Sequence, residues 1–330
     1  MKKTNRLIIL LLSLLVVLMM PRPGSAAPAM VDLGTLGGDH SEAIAINSQA
    51  QIAGYSRIAS GQFHAFLWRR GKLTDLGHLG GNVSFIGGLN DRGQVVGTSF
   101  LASGDYHAFL WEAGKLTDLG TLGGKFSEAH AINNRGQIAG TSRTAADESH
   151  AFLWHKGKMV DLGTLGGSAS VARALNDEGE VVGESNTASG ETHPFLWRKG
   201  KMIDLGLLGG SFGQALAINK RGEIVGFSYT SSAEEQTTAF HWYKNKLTNL
   251  GTLGGESAIA TGINNRGEIV GQIRIGPDEF KGFLWHKGKL TDLGSLGGKS
   301  TFPEAINEGG QVVGTSTTSS GELHAFLWKK

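Results

Sequence analysis

The sequence predicts an all-β fold in which seven four-stranded units close into a ring, and three observations carry that prediction. The string DLGTLGG or a close variant starts at Asp32, Asp75, Asp118, Asp161, Asp204, Asn249 and Asp292, with five spacings of 43 residues and one of 45. All seven tryptophans fall on one position of this repeat: Trp68, Trp111, Trp154, Trp197, Trp242, Trp285 and Trp328. The two ends are complementary, because the chain opens on a lone fourth strand, Met30-Val31-Asp32, and stops at Lys330 just after a third strand.

Each copy reads as four short strands. The third runs SEAHAIN, QIAGTS, HAFLW and KMVDLG, rich in β-branched and aromatic residues and separated by the turn strings NNRG and HKGK. Asn and Gly in N-x-x-G tolerate positive φ, which suits a tight hairpin. No segment holds helical periodicity over ten or more residues. The third strand carries bulk on both faces, so it must be covered on both faces. A four-stranded blade between neighbouring blades meets that need, and a period of roughly 40–45 residues is that of a β-propeller. An open solenoid would require polar capping repeats, whereas here the N-terminal strand supplies what the last copy lacks. The expected architecture is a seven-bladed β-propeller over residues 29–330, its ring closed by the N-terminal strand joining the last blade.

His-Ala-Phe recurs at 64–66, 107–109, 150–152 and 324–326, with INxxGxxxG upstream and DLGTLGG downstream. This combination resembles the bacterial extracellular repeat proteins of the HAF family over essentially the whole repeat region. His193-Pro194-Phe195, Thr238-Ala239-Phe240 and Lys281-Gly282-Phe283 depart from it. The resemblance implies export and a repeat fold, and brings no biochemical activity with it.

Residues 1–26 read as a secretion signal. Lys2, Lys3 and Arg6 precede the apolar run Leu7 to Met20, and Gly24-Ser25-Ala26 offers small residues for cleavage after Ala26. The run is shorter than the ~20 residues that span a bilayer. A secreted or periplasmic protein with no membrane span in its mature form is expected, and a monomer. Cysteine is absent, so no disulfide framework or thiolate metal site is available. The leader holds four basic residues and no acidic ones, so net charge falls from +2 to −2 on its removal. Global charge therefore selects no partner, and nothing points to nucleic acid.

Recurring residues read as structural. One histidine per copy (His64, His107, His150, His193, His324) puts neighbours a blade apart, too far to share an ion, and Thr238 and Lys281 replace it in two copies. A hydrogen bond tying the third strand to a loop is the better account, as in WD-repeat propellers, which look similar in this respect. The Asp of DLG suits a turn cap rather than a calcium ligand, because T-L-G-G supplies few oxygens. The tryptophans read as core. No catalytic triad, phosphate-cradling loop, cofactor site or metal site stands out.

Departures from the repeat carry the functional signal. Loops joining strands two and three, and four to the next one, share one end. That end holds acidic residues such as Asp105, Glu148, Glu191, Glu234, Glu235 and Glu322, and eleven of the twelve non-recurring aromatics. The opposite end holds 20 of the 27 Lys and Arg that follow the leader. Two positions of the first strand vary from copy to copy. One reads Glu42, Phe85, Glu128, Val171, Gln214, Ile259, Phe302; the other reads Ile44, Gly87, His130, Arg173, Leu216, Thr261, Glu304. They are expected at the mouth of a central channel, where mixed charge and aromatic groups form a binding site. Glu42, Phe85, Glu128, His130, Arg173, Gln214 and Glu304 are the candidate ligand-binding residues of a non-enzymatic module. A small ligand, oligosaccharide or peptide fits them, and the basic end fits an anionic surface polymer. The alternatives are a hydrolase or lyase using Glu42, Glu128 and Glu304, and a multivalent lectin with one site per blade.

Overall fold

Each repeat folds into one four-stranded antiparallel sheet in the computed structural model, which describes residues 29–231 and 236–330. The leader and the pair Glu234 and Glu235 lie outside the described residues. After β1 (Ala29–Asp32), the first repeat runs β2 (Gly37–Ile46), β3 (Ile52–Ile58), β4 (Phe63–Arg69) and β5 (Lys72–Asp75), each pairing with the next. Strands β6 to β25 repeat this order through residues 80–292. The last sheet holds β26 (Gly297–Ile306), β27 (Val312–Thr318) and β28 (Leu323–Lys329), and its fourth strand is β1. Met30 pairs with Trp328, and Asp32 with Phe326. Three of the sheets touch edge to edge through single parallel bridges, Tyr106 to Phe126 and Ser149 to Ala169. Among the described residues there is no helix, and so none long and apolar enough to cross a membrane.

The apolar core lies between sheets rather than within one. Leu33, Ala43, Ile46, Ile52 and Phe66 pack with Val313, Ala325 and Leu327, joining the first and last repeats, and similar clusters join other neighbours. The phenylalanine of the third strand (Phe66 in the first copy, Phe152 in the third) is fully buried in every repeat. Burying a ring of that size stabilises by about 1.5–3 kcal/mol. The tryptophans depart from expectation: Trp242 and Trp328 are buried, whereas the other five are only partly covered. They sit one turn from the sheet's basic end, where the strand emerges from between its neighbours.

A buried asparagine links each repeat to the next. The Nδ2 group of Asn133 donates to Gln137 Oε1 within its own turn at 2.8 Å and to the Asn176 carbonyl of the next repeat at 2.9 Å. Its Oδ1 accepts from the backbone N–H groups of Arg135 and Gln137. The repeat-to-repeat bond recurs from Asn47, Asn90, Asn176, Asn219 and Asn264, and Asn307 donates to the Asn47 carbonyl at 3.1 Å. In the five copies that have it, the histidine joins the aspartate across the outer strands. His64 Nδ1 lies 2.7 Å from Asp75 Oδ2, while Asp75 Oδ1 accepts from the Gly77 N–H; His324 meets Asp32 across 292 residues.

All seven sheets carry a β-bulge at one position of the first strand. In the third repeat Glu128 faces Thr141 and Ala129 faces Gly140, but Ala131 faces Ala139, which leaves His130 unpaired in the ladder. Gly140 permits this packing, because a Cβ there would lie 1.9 Å from the Glu128 carbonyl oxygen and 2.9 Å from the Phe152 ring.

Two stability measurements follow from these contacts. In urea unfolding, Phe152→Ala is expected to cost about 3–5 kcal/mol and Trp154→Ala clearly less, since only the former leaves a closed cavity. Asn133→Ala is expected to cost about 2–3 kcal/mol by orphaning Gln137 and the Asn176 carbonyl. A cost under half that would show that the amide does not couple the repeats.

Candidate functional site

The bulges place one unpaired residue from each repeat around one cavity of about 300 Å3. It is lined by Ile44, Gly87, His130, Arg173, Leu216, Thr261 and Glu304, one from each repeat, with Ile86 beside them. A bulge residue contributes no side-chain-specific ladder contact, so its identity can change without disturbing the pairing. Two of the seven reach across to the neighbouring repeat: His130 Nδ1 donates to the Ala172 carbonyl at 2.7 Å, and Thr261 Oγ1 to the Pro303 carbonyl at 2.7 Å. Gly87 lets the third repeat's strand pack against it, because a Cβ there would lie 1.9 Å from the Ala129 carbonyl oxygen.

Charge in the cavity is unevenly set. Arg173 is held by Glu184 through three contacts, Nη2 to Oε1 at 2.6 Å and Nε to both carboxylate oxygens at 3.1 Å. Glu184 is only 6% exposed and also accepts from Gln214 Nε2 at 3.2 Å. Glu304, from the last repeat, is open to cavity solvent yet surrounded by protein, and its carboxyl is pushed up to about 7 by desolvation first and by the charge of Glu42 second. Glu42 itself pairs with His40 Nε2 at 2.8 Å. Burial first, and the Glu42 hydrogen bond next, push the Tyr55 hydroxyl upward.

Two further cavities share His130 in their walls with the first. One of about 390 Å3 is lined by Phe85, Thr98, Phe100, Tyr106, Glu128 and His130, among others. One of about 190 Å3 shares Tyr106, Glu128 and His130, and adds Phe126, Thr141, Arg143 and Arg173. Tyr106 stacks on Phe126 at 4.5 Å, with Phe100 tilted against it at 5.6 Å. Glu128 Oε2 lies 3.1 Å from His130 Nε2, and this hydrogen bond is the main cause holding the Glu128 carboxyl below its usual range. Thr141 Oγ1 is buried in the wall without a hydrogen-bond partner.

Of the sequence candidates, Phe85, Glu128, His130, Arg173 and Glu304 line these joined cavities, and Gln214 is attached through Glu184. Glu42 is outside the lining of these cavities, beside His40 and Tyr55, and near enough to Glu304 to raise its carboxyl. A third varied position went unread: Tyr55, Thr98, Thr141, Glu184, Phe227, Gln272 and Thr315 lie opposite the first series, between the recurring Gly and the following residue of the second strand. Its signal was the same copy-to-copy change. Several non-recurring aromatics pack on one another in the seams, as Tyr55, Phe63 and Phe85 do at 5.1–5.8 Å, rather than standing free. Among the described residues, no group of three or more acidic or histidine side chains is placed to hold a metal ion.

The fold defines a β-propeller. No family model matches the chain, and no curated protein matches it. Among solved structures it is similar to the β-propeller domain of the Trilobed protease from Pyrococcus furiosus, at 8% identity and TM-score 0.64, covering 88% of this chain and 95% of that one. That domain is described as having an open velcro topology. The WD40 β-propeller domain of Doa1 matches at 14% identity and TM-score 0.52, over 90% of this chain and 96% of that one. The acylaminoacyl peptidase of Pyrococcus horikoshii matches at 10% identity and TM-score 0.56, over 88% of this chain, which spans 51% of the peptidase. At these identities the likeness is one of fold alone.

The Glu304 carboxyl sets a pH dependence. Its folded pKa stands above the unfolded value of 4.5, so its contribution is complete below pH 4.5 and is lost as pH rises through about 7. Glu304→Gln is therefore expected to raise the melting temperature at pH 8 relative to wild type and to change it much less at pH 4.5. Equal effects at both pH values would remove the proposed carboxyl shift.

Proposed function

We propose that the protein is an exported, non-enzymatic binding module built on a closed seven-bladed propeller, taking an oligosaccharide in the joined cavities at His130. The pairing of β1 with β28, the Asn307 to Asn47 bond and the shared core of first and last repeats support closure. The sequence of residues 1–26 supports export. One observation carries the site: copy-to-copy differences concentrate on the bulge residues and their strand neighbours, and there meet a stacked aromatic pair, a carboxylate and an unpartnered hydroxyl. An aromatic ring offers a face to a pyranose, and the Glu128 carboxylate offers a polar partner to its hydroxyls.

The variant chosen to test this must spare Arg173. Its loss would strand the buried Glu184 carboxylate, at about 3–5 kcal/mol, and confuse folding with binding. Tyr106→Leu combined with Glu128→Gln changes the site and leaves that pair intact. On a glycan array this double variant is expected to lose at least about 90% of wild-type signal with a melting temperature within a few degrees. Unchanged glycan capture would refute the assignment, and capture confined to a peptide array would replace the sugar by a peptide.

A hydrolase reading is favoured by one observation, the separation of carboxyl behaviour around the cavity, with Glu304 raised to about 7 and Glu128 lowered. Incubation of a captured glycan with wild type and Glu304→Gln decides between the readings. A binder releases the glycan intact from both, whereas a hydrolase shortens it and loses that activity in the variant.

A further inference from the structure

The end of the molecule opposite the cavities carries a second signal, in the hairpins between the third and fourth strands. In six repeats the first central turn residue has a left-handed backbone: Arg70, Ala113, Lys156, Lys199, Lys244 and Lys287, with φ of 48–51°. The next residue also has positive φ, and is Gly in five turns and Asn245 in the other. Such type I′ turns favour Asn or Gly at the first position, where a lysine or arginine is strained. Five of six turns nevertheless hold a cation there. Backbone strain kept at one chemical type of side chain points to a use for that side chain.

Within these turns the charge is not paired, although Lys220 and Arg221 on the adjoining N-x-x-G turns pair with Asp177 and Glu223. The six four-residue turns (69–72, 112–115, 155–158, 198–201, 243–246, 286–289) contain thirteen Lys or Arg and one acidic residue, Glu112. None of the thirteen joins a salt bridge among the described residues. These turns share their end of the molecule with the N-x-x-G turns, because Ile52 pairs with both Ile46 and Trp68. A cleft of about 470 Å3 opens there between the fourth and fifth repeats. Arg198, Lys220, Arg221 and Lys244 line it with Trp242 and Tyr243, and Glu178 and Glu180 are also in its wall. Lys244 Nζ stands 5.1 Å over the Tyr243 ring, the one non-recurring aromatic at this end.

We propose that this end is a docking surface for an acidic polysaccharide. The turn cations pair with carboxylates repeated along the polymer, and the cleft beside Tyr243 receives a sugar ring. Charge complementarity supplies the attraction, and the aromatic cleft favours a sugar chain over a nucleic-acid duplex. The surface is separate from the cavity at His130 and does not depend on that site's assignment.

The test uses the full chain with Arg70, Lys156, Lys199, Lys244 and Lys287 each replaced by Asn. This change removes five charges and relieves strain, so binding and folding are expected to move in opposite directions. With polygalacturonate as probe, the quintuple variant is expected to bind about tenfold more weakly than wild type at low salt, with a shallower salt dependence. Its melting temperature should equal or exceed that of wild type. Tyr106→Leu with Glu128→Gln should bind polygalacturonate as wild type does, and neutral dextran should not be retained. Unchanged binding by the quintuple variant, or a lowered melting temperature alongside weaker binding, would overturn the proposal. Tighter binding of duplex DNA than of polygalacturonate would reassign the surface to nucleic acid.

Discussion

One buried amide per repeat sets the frame for everything else in the molecule. The asparagine of N-x-x-G satisfies both sides of its side chain, with Oδ1 closing its own turn and Nδ2 reaching the next repeat. An amide buried without those partners is costly, so the turn and the spacing between repeats are fixed together. The same bond runs from each repeat to its successor and returns from Asn307 to Asn47. Because this contact lies next to the end of the first strand, it also fixes where that strand sits relative to its neighbour. The bulge is three residues away, and its direction follows.

The bulge then separates invariant from variable chemistry within one strand. Residues that pair in the ladder are under packing constraint: Gly140 must lack a Cβ, and Phe152 fills the space beside it. The bulged residue meets no such demand and turns toward the cavity. Identical backbones therefore present seven different side chains to one space. Where a charge enters, the same repeat supplies the answer, as Glu184 on the second strand does for Arg173 on the first. Glu304 has no such partner, and with Glu42 nearby it bears the cost as a raised carboxyl pKa.

The repeat, the strand order and the varied positions were legible because they depend on recurrence, which a single chain displays by itself. The bulge was not. Alternation in a strand has a period of two, and Ala43-Ile44-Ala45 looks the same with or without an extra residue. The burial order within HAFLW was misread for a related reason. Phe and Trp are both large and apolar, and only the distance from the sheet's end distinguishes the sealed Phe152 from the partly covered Trp154. The histidine–aspartate pairs were legible in kind, because their fixed spacing across two hairpin strands brings them opposite. Pairing of aromatics in the seams was not legible, since it depends on which repeats adjoin and how the loops fold back.

The near-neutral charge of the chain conceals a strong separation, and the antiparallel topology is its cause. Turns one-to-two and three-to-four must lie at one end of a four-stranded sheet, and the remaining connections at the other. Any bias in turn composition is therefore multiplied by the number of repeats and never averaged out. The two ends also answer salt differently. Cations on exposed turns act over distances comparable to the screening length of ~8 Å at physiological salt, so their collective attraction fades as salt rises. The Arg173–Glu184 contact and the aromatic pair at Tyr106 act at van der Waals range inside a cavity, where added ions have little access. A molecule held at its basic end would leave the cavity end facing solution. The two proposed roles, attachment at the basic end and capture in the cavities, would thus be separable by ionic strength.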